Sequence, residues 1–202
     1  EQTLFIGVSG SGVVARVAEG LKRFRAKGAY AVAFSGDMQS KCAHAAQTTV
    51  DISTPPVNIE RGLPLRGYAA TLLAFCGVAW RIAILQGKKT EAERLAFYEE
   101  MVVLADELQR TLPKIERQVE AFARKMCQTA SVYELVGSGT GFTSAWLGRQ
   151  ELVGQAGVFG VECSAEDWLH STFFAARPET IPTVLISPPN SPARSRLEEV
   201  EG

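Results

Sequence analysis

The sequence has no pair of cysteines close enough to make a C-x-x-C element. Cys42, Cys76, Cys127 and Cys163 are widely scattered. With only two histidines, His44 and His170, it also lacks the ligand supply of a structural zinc site, so neither a metal nor another cofactor is expected. Reduced thiols in a cytoplasmic protein fit this cysteine pattern. No charge of one sign prevails: 21 Lys and Arg stand against 22 Asp and Glu, a net charge of -1. That balance gives nucleic acid no electrostatic footing as the main partner. The longest apolar run, Ala69 to Trp80, ends at Arg81 and reads as too short to span a bilayer, so no membrane partner is expected. No leader-like segment precedes the first apolar stretch, although a chain opening on Glu1 leaves its true start undetermined.

What is present is ordinary globular material. The 202 residues are 46% hydrophobic and 21% charged, enough for one large domain or two small ones. Thr3–Val8 (TLFIGV) reads as a buried strand. Val13, Val17, Leu21 and Phe24 then recur at helical spacing up to Gly28, and Ala29–Phe34 (AYAVAF) gives a second strand. Strand, helix and strand in this order predict a right-handed βαβ unit with a parallel sheet. Thr48–Ile52 adds an edge strand. Gly67–Gln86 reads as an apolar helix buried on most sides. Thr90-x-x-Glu93 has the form of a capping box opening a polar helix to about Arg110, and Pro113 suits the first turn of a further helix to about Met126.

A second cycle follows. Ser131–Val136 is a strand, Gly137–Gly141 (GSGTG) a glycine loop, and Phe142–Gln155 a helix. Val158–Val161 is another strand, Ser164-x-x-Asp167 caps the helix carrying His170, Thr183–Ser187 is a strand, and a turn then enters a last helix. The expected architecture is α/β: two units with parallel sheets, each incomplete in this chain, joined by connector helices. The first unit opens in mid-sheet and the second ends in mid-helix. Residues 1–88 form the first unit, 89–127 the connector and 128–202 the second unit.

The stretch GVSGSGVV, Gly7–Val14, lies between the first strand and the first helix. A glycine loop before a helix N-terminus exposes unpaired N–H groups to an anion. Ser9 and Ser11 add hydroxyls, and Gly10 and Gly12 let an anion approach the main chain. A P-loop is excluded, because Val13 and Val14 stand where Lys and Ser/Thr are required. A dinucleotide site wants G-x-G-x-x-G and an acid after the next strand. The loop reads G-x-x-G-x-G, but Asp37 does follow AYAVAF. A plain turn, a dinucleotide and a phosphate monoester all remain open on the loop alone.

Four segments together narrow the choice. SGSG after a strand, LPLRGYAATLLA, GSGTGFTSAWLGRQEL and ECSAEDWLHSTFFA, in this order, resemble the double-domain members of the sugar isomerase (SIS) domain family. These members include the isomerase half of glucosamine-6-phosphate synthase and the fructosamine-6-phosphate deglycases. The resemblance covers nearly the whole chain and implies a parallel sheet flanked by helices on both faces, occurring twice. It gives Ser9, Gly10, Ser11 and Gly12 the phosphate-loop role, with Val14 and Arg16 where the family usually has a threonine and an acid. It places the family's first strand and first phosphate loop outside these residues.

The same resemblance puts Glu60, Arg66, Ser138 and Thr140 among further substrate-site residues, Arg66 standing at a lysine of a deglycase-like segment. His170 falls on the family's ring-opening histidine, followed by Ser171-Thr172 rather than Gly-Pro. Sixteen residues earlier, where catalytic members carry the proton-transferring glutamate, stands Gly154. Glu151 and Glu166 are therefore the candidate carboxylates, with Glu162 as another. The implied function is an isomerase or fructosamine-6-phosphate deglycase acting on a 6-phosphosugar or its amino conjugate, in a homodimer or higher homo-oligomer with shared sites. The alternatives are a non-catalytic phosphosugar sensor and, more remotely, a dinucleotide-binding domain. Loss of a general base typically costs about a hundredfold to ten-thousandfold in rate, so Gly154 bears directly on which holds.

Overall fold

The structure, a computed structural model, describes residues 3–55, 65–126, 130, 132–174 and 181–201. The chain divides into two compact units at Val103–Leu104, and each is described by itself.

In the first unit, β1 (Leu4–Ser9), α1 (Ala15–Ala26) and β2 (Tyr30–Ser35) form the expected βαβ unit. A short helix α2 (Lys41–Ala45), not foreseen, leads into the edge strand β3 (Thr48–Asp51). The sheet order is β1-β2-β3, all parallel, with Ser9 beside Ser35 and Ser35 beside Asp51. All three strands thus end along one carboxyl edge. The core forms because β2 alternates: Ala31 and Ala33 turn to one face, where their small side chains admit Leu21 of α1 and Cys42 of α2. Phe34, wholly buried, meets Phe75 at a ring-centroid distance of 4.9 Å.

Phe75 belongs to α3 (Leu65–Leu85), the apolar helix of the sequence reading. Its expected burial on most sides does not hold: none of its described side chains is buried. It packs along one side only, through Phe75 on β2 and Trp80 on Phe97 (5.7 Å), leaving Leu72, Leu73, Ile82 and Leu85 exposed. The length argument is also corrected, because the helix continues through Arg81. Residues Arg66–Leu85 are long and apolar enough to cross a membrane by length and composition, and one such helix is weak evidence of a span.

The two expected polar helices are one. α4 runs from Glu91 to Met126, 36 residues, with Pro113 inside it. A proline in a helix interior removes one backbone bond and costs about 3 kcal/mol. Here strong helix formers flank it on both sides. In the preceding turns the Arg110 and Thr111 side chains donate to the carbonyls of Asp106 and Glu107.

In the second unit the order is β4 (Val132–Gly137), α5 (Thr140–Glu151), a π-turn at Leu152–Ala156, β5 (Phe159–Ser164), α6 (Ala165–His170), β6 (Thr183–Ile186) and α7 (Arg194–Glu201). The parallel sheet has the order β5-β4-β6. Leu135 of β4 faces Gly148 of α5 on one side, and Val136 packs with Trp168 of α6 and Leu197 of α7 on the other. Helices therefore cover both faces of β4. The chain passes from β4 to β5 on one side and returns to β6 on the other, which makes the carboxyl ends of β4 and β6 a topological switch point.

The capping box forms as expected. The Thr90 N–H and hydroxyl donate to Glu93 Oε2 at 2.8 and 3.0 Å, and the Glu93 N–H donates back to Thr90 Oγ1 at 3.2 Å. With Lys89 also on the carboxylate, Glu93 is held down at about 2 against an ordinary 4.5. A depressed folded-state value means that this contribution is present above the ordinary carboxylate range and is lost as pH falls through it towards 2. Amide exchange at Glu91–Arg94 is expected to accelerate across that acid window in the native protein and to be pH-insensitive there in Glu93→Gln, after correction for intrinsic rates. Equal profiles for the two proteins would contradict the box.

Candidate functional site

The first glycine loop is built by β1 ending where α1 has not yet begun. Ser9 closes the strand and is buried. The chain turns with the Gly12 N–H donating to the Ser9 carbonyl at 2.9 Å, and Val14 precedes the helix with no side-chain cap. Gly12 has φ 68°, and a Cβ there would lie 2.1 Å from Ser40 Oγ and 2.6 Å from Ser35 Oγ. Glycine is thus required for both the backbone and the space. Gly10, by contrast, faces open space, and its carbonyl accepts the Gly36 N–H at 2.9 Å, which ties the loop to the end of β2.

Behind the turn lies a serine pair that the sequence reading missed. Ser35 and Ser40 are buried, their hydroxyls 3.1 Å apart, and Ser40 caps α2 by accepting the Ala43 N–H. The available signals were the strand-ending Ser35 and the Ser40-x-x-Ala43 cap spacing. One hydroxyl has no partner: Ser9 Oγ is buried and makes no hydrogen bond. A buried polar group left unmatched costs about 1–3 kcal/mol, so its persistence in the turn before an uncapped helix is informative. Ser11 is exposed. Arg16 does not turn back to the loop. It is exposed and pairs with Glu19 at 2.9 Å. Asp37, the acid a dinucleotide reading needed, accepts the Gln39 N–H at 2.8 Å within its own turn.

The second glycine loop repeats the device at the carboxyl ends of β4 and β6. Gly139 precedes α5 with no side-chain cap. A Cβ on Gly137 would lie 2.5 Å from the Gly141 carbonyl, and one on Gly141 would lie 2.8 Å from the Ile186 carbonyl, so α5 starts directly against two strand ends. Ser138 accepts the Ala165 N–H at 3.3 Å and so joins this loop to the start of α6, while Thr140 opens α5 exposed.

α6 carries His170 in its last turn. Ser164 caps the helix by accepting the Asp167 N–H at 3.1 Å, as its spacing predicted. His170 is exposed. Its Nδ1 lies 2.9 Å from the Glu166 carbonyl and 3.7 Å from the Glu166 carboxylate. Glu166 also pairs with Arg196 of α7 at 3.2 Å. The structure thus brings His170, Glu166 and Arg196 together, and Arg196 was not foreseen. Trp168 anchors the same helix by donating from Nε1 to Glu134, a buried carboxylate in β4 that also accepts the Thr183 hydroxyl at 3.1 Å. A glutamate amid the apolar SVYELV stretch was its signal in the sequence.

The remaining carboxylates differ sharply. Glu162 is committed to Arg149 at 2.8 Å, and that guanidinium holds its carboxyl below the usual range. Glu151 ends α5 half-buried, with Oε2 buried and unpartnered. No contact joins it to His170 among the described residues. Gly154 lies in the π-turn, where a Cβ would meet nothing within 4 Å. Arg66, at the start of α3, donates to the Pro55 carbonyl, and Glu60 lies outside the described residues. His44 is exposed on α2, beside a groove of about 560 Å³ that Lys22, Arg23 and Lys41 also line. Among the described residues no group of three or more His, Cys, Asp or Glu could hold a metal ion.

No protein-family model matches the sequence, and no curated protein matches it. Solved structures do. A candidate sugar-binding protein from Salmonella typhimurium LT2 superposes with a TM-score of 0.82 over 100% of this chain at 17% identity. The C-terminal domain of glucosamine-fructose-6-phosphate aminotransferase from Francisella tularensis gives 0.82 over 98% at 18% identity. A candidate phosphosugar isomerase from Clostridium difficile 630 gives 0.79 over 98% at 15% identity. The chain has the SIS fold. It spans 60%, 56% and 55% of these three neighbours' lengths. At such identities the likeness concerns the SIS fold, and the chemistry rests on the residues above.

Gly12→Ala and Gly10→Ala separate the loop's structural demand from its open face. The first places an alanine at positive φ, which costs about 1–2 kcal/mol before the Ser40 overlap is counted. It is expected to lower the melting temperature clearly, and the second to leave it nearly unchanged. Equal melting temperatures for the two variants would contradict this loop geometry.

Proposed function

We propose that the chain binds the phosphoryl group of a 6-phosphosugar, or of its amino conjugate, on the turn Ser9–Gly12. One observation carries the reading: a buried, unpartnered Ser9 hydroxyl at the start of the turn that leads into the uncapped helix α1. The first-turn N–H groups of a helix have no partner inside it, and the dipole there favours an anion by about 0.3–1 kcal/mol, more when partly buried. Ser9 and Ser11 supply hydroxyl donors, and the open side of Gly10 lets a phosphate oxygen reach the main chain. The names of the SIS-fold neighbours, which concern sugar binding and phosphosugar isomerisation, favour a sugar phosphate over other phosphate monoesters. The division into 1–88, 89–127 and 128–202, a cytoplasmic setting, and a homo-oligomer with shared sites belong to the same reading.

In its enzymatic form the proposal is an isomerase or a fructosamine-6-phosphate deglycase. The phosphate anchors the substrate, and that binding energy holds the sugar for reaction. His170 opens the ring by taking and returning a proton, since an imidazole can do both. A carboxylate then carries a proton between C1 and C2. Glu151 is the stronger candidate for this, because its Oε2 is unpartnered while Glu162 is paired to Arg149 and Glu166 to Arg196.

Gly154 favours the second reading, a phosphosugar-binding module without turnover. Nothing in the packing around Gly154 requires glycine, so the absent carboxylate is not explained by space.

Calorimetry with fructose 6-phosphate, glucosamine 6-phosphate and a fructosamine 6-phosphate tests binding. Heat is expected with at least one of them, and Ser9→Ala is expected to weaken the affinity about tenfold or more, the scale of one hydrogen bond to a charged group. No heat with any hexose monophosphate would sink the proposal. Turnover by the native chain, abolished in His170→Ala, would establish the enzyme. Binding without turnover, with isomerisation appearing in Gly154→Glu, would establish the module. No gain in that variant would mean that more than this carboxylate has been lost.

A further inference from the structure

The outward side of the α1–α2 pair carries a trough of positive charge that the phosphate turn does not use. Leu21 of α1, with Cys42 and Ala45 of α2, turns inward onto Ala31 and Ala33 of β2. On the outside the two helices leave between them a groove of about 560 Å³. Ala15, Ala18 and Lys22 follow one another at steps of three and four, so they lie along one side of α1, and the two alanines keep that side low. Lys41 and His44, three apart on α2, line the groove from the other helix.

The charge in this trough is uncompensated. Lys22 and Lys41 are exposed and have no acidic partner among the described residues. Glu19, the one carboxylate lining the groove, is already shared between Arg16 at 2.9 Å and Arg23 at 2.5 Å. Helix electrostatics accounts for only part of the pattern. Arg23 and Arg25 stand in the last turn of α1, where the dipole favours a cation, but Lys41 opens α2, where the dipole disfavours one. Like charges facing each other across a concave surface concentrate the field there and attract an anion.

The surroundings narrow the class of anion. Residues 15–45 hold six Lys and Arg against two carboxylates, whereas the rest of the chain carries five more acids than bases. A long polyanion such as RNA would run from the trough into that acidic excess, and a compact one would not. His44 is the only ring among the lining residues, so a nucleobase finds little to stack on. Cations on two walls suit a ligand charged at both ends, which a sugar monophosphate is not.

We propose that the α1–α2 groove is a second anion site, taking a short inorganic oligophosphate between Lys22 and Lys41 with His44 as a further hydrogen-bond donor. It lies along the outward side of α1 rather than in the turn before that helix. It does not rest on the phosphosugar reading, so either idea can fail alone.

Calorimetry of the whole 202-residue chain with sodium tripolyphosphate tests it. Binding is expected at low salt and weakens as salt is added. Lys22→Gln/Lys41→Gln is expected to weaken it about tenfold or more, the scale of one hydrogen bond to a charged group, with the melting temperature of the free protein unchanged. Ser9→Ala is expected to leave tripolyphosphate binding as it was. In the native chain, amide shifts on adding tripolyphosphate are expected to gather at Lys22, Arg23 and Lys41–Ala45. No heat with tripolyphosphate, or full affinity in the double glutamine variant, would overturn the proposal. So would loss of binding in Ser9→Ala, which would put this anion on the phosphate turn. Tighter binding of ATP, or of an RNA homopolymer at equal phosphate concentration, would give the groove to a nucleotide or to nucleic acid and overturn the oligophosphate assignment.

Discussion

Where a parallel strand ends before its helix begins, the first N–H groups of that helix lie at the carboxyl edge of the sheet and depend on the turn for partners. The chain builds this arrangement twice, at Ser9–Val14 and at Gly137–Thr140, and in both cases the residue before the helix provides no capping side chain. In an ordinary turn a serine, threonine or aspartate would satisfy those groups. Here Val14 and Gly139 stand in that position, while Ser164 and Ser40 do cap the helices α6 and α2. Capping is therefore used where a helix start is structural and omitted where the two glycine loops lie.

The close approaches around these loops follow from the same constraint. In the second loop backbone lies on backbone, the strand-ending Gly137 against the Gly141 main chain and Gly141 against the Ile186 carbonyl, whereas Gly12 in the first loop makes room for the Ser35 and Ser40 side chains. The small residues Ala31 and Ala33 allow α1 and α2 to sit low on β2. In the second unit the buried Glu134 carboxylate ties β4 to α6 and β6 through Trp168 and Thr183, and so fixes the helix that ends in His170.

Periodicity and caps made much of the fold legible in the sequence. Strands of alternating or continuous apolar character, the Thr90–Glu93 box and the Ser164–Asp167 cap all lie where their residue patterns place them. What misled was local punctuation read without context. Pro113 reads as a helix start, yet the surrounding helix formers carry α4 through it. The apolar α3 reads as buried, yet it is packed along one side only, because composition records how apolar a helix is and not what covers it. Of the candidate site, the two glycine loops were legible from their place between strand and helix, and His170 and Glu166 came from the family resemblance, their mutual contact only from the structure. Ser35, Ser40 and Arg196 were not, since they reach the site from elements that only the tertiary fold brings near. Nor could the sequence rank the carboxylates, because pairing with Arg149 or Arg196 separates Glu162 and Glu166 from the unpartnered Glu151.

The most direct measurement of the central claim is a nitrogen–proton correlation spectrum of the chain titrated with fructose 6-phosphate. The account predicts that the largest amide shifts fall on Gly10–Arg16, with downfield movement of the α1 first-turn N–H groups as they take up the phosphate oxygens. A spectrum in which those amides stay still while the shifts gather elsewhere, for example beside Lys22 and Lys41, would contradict it.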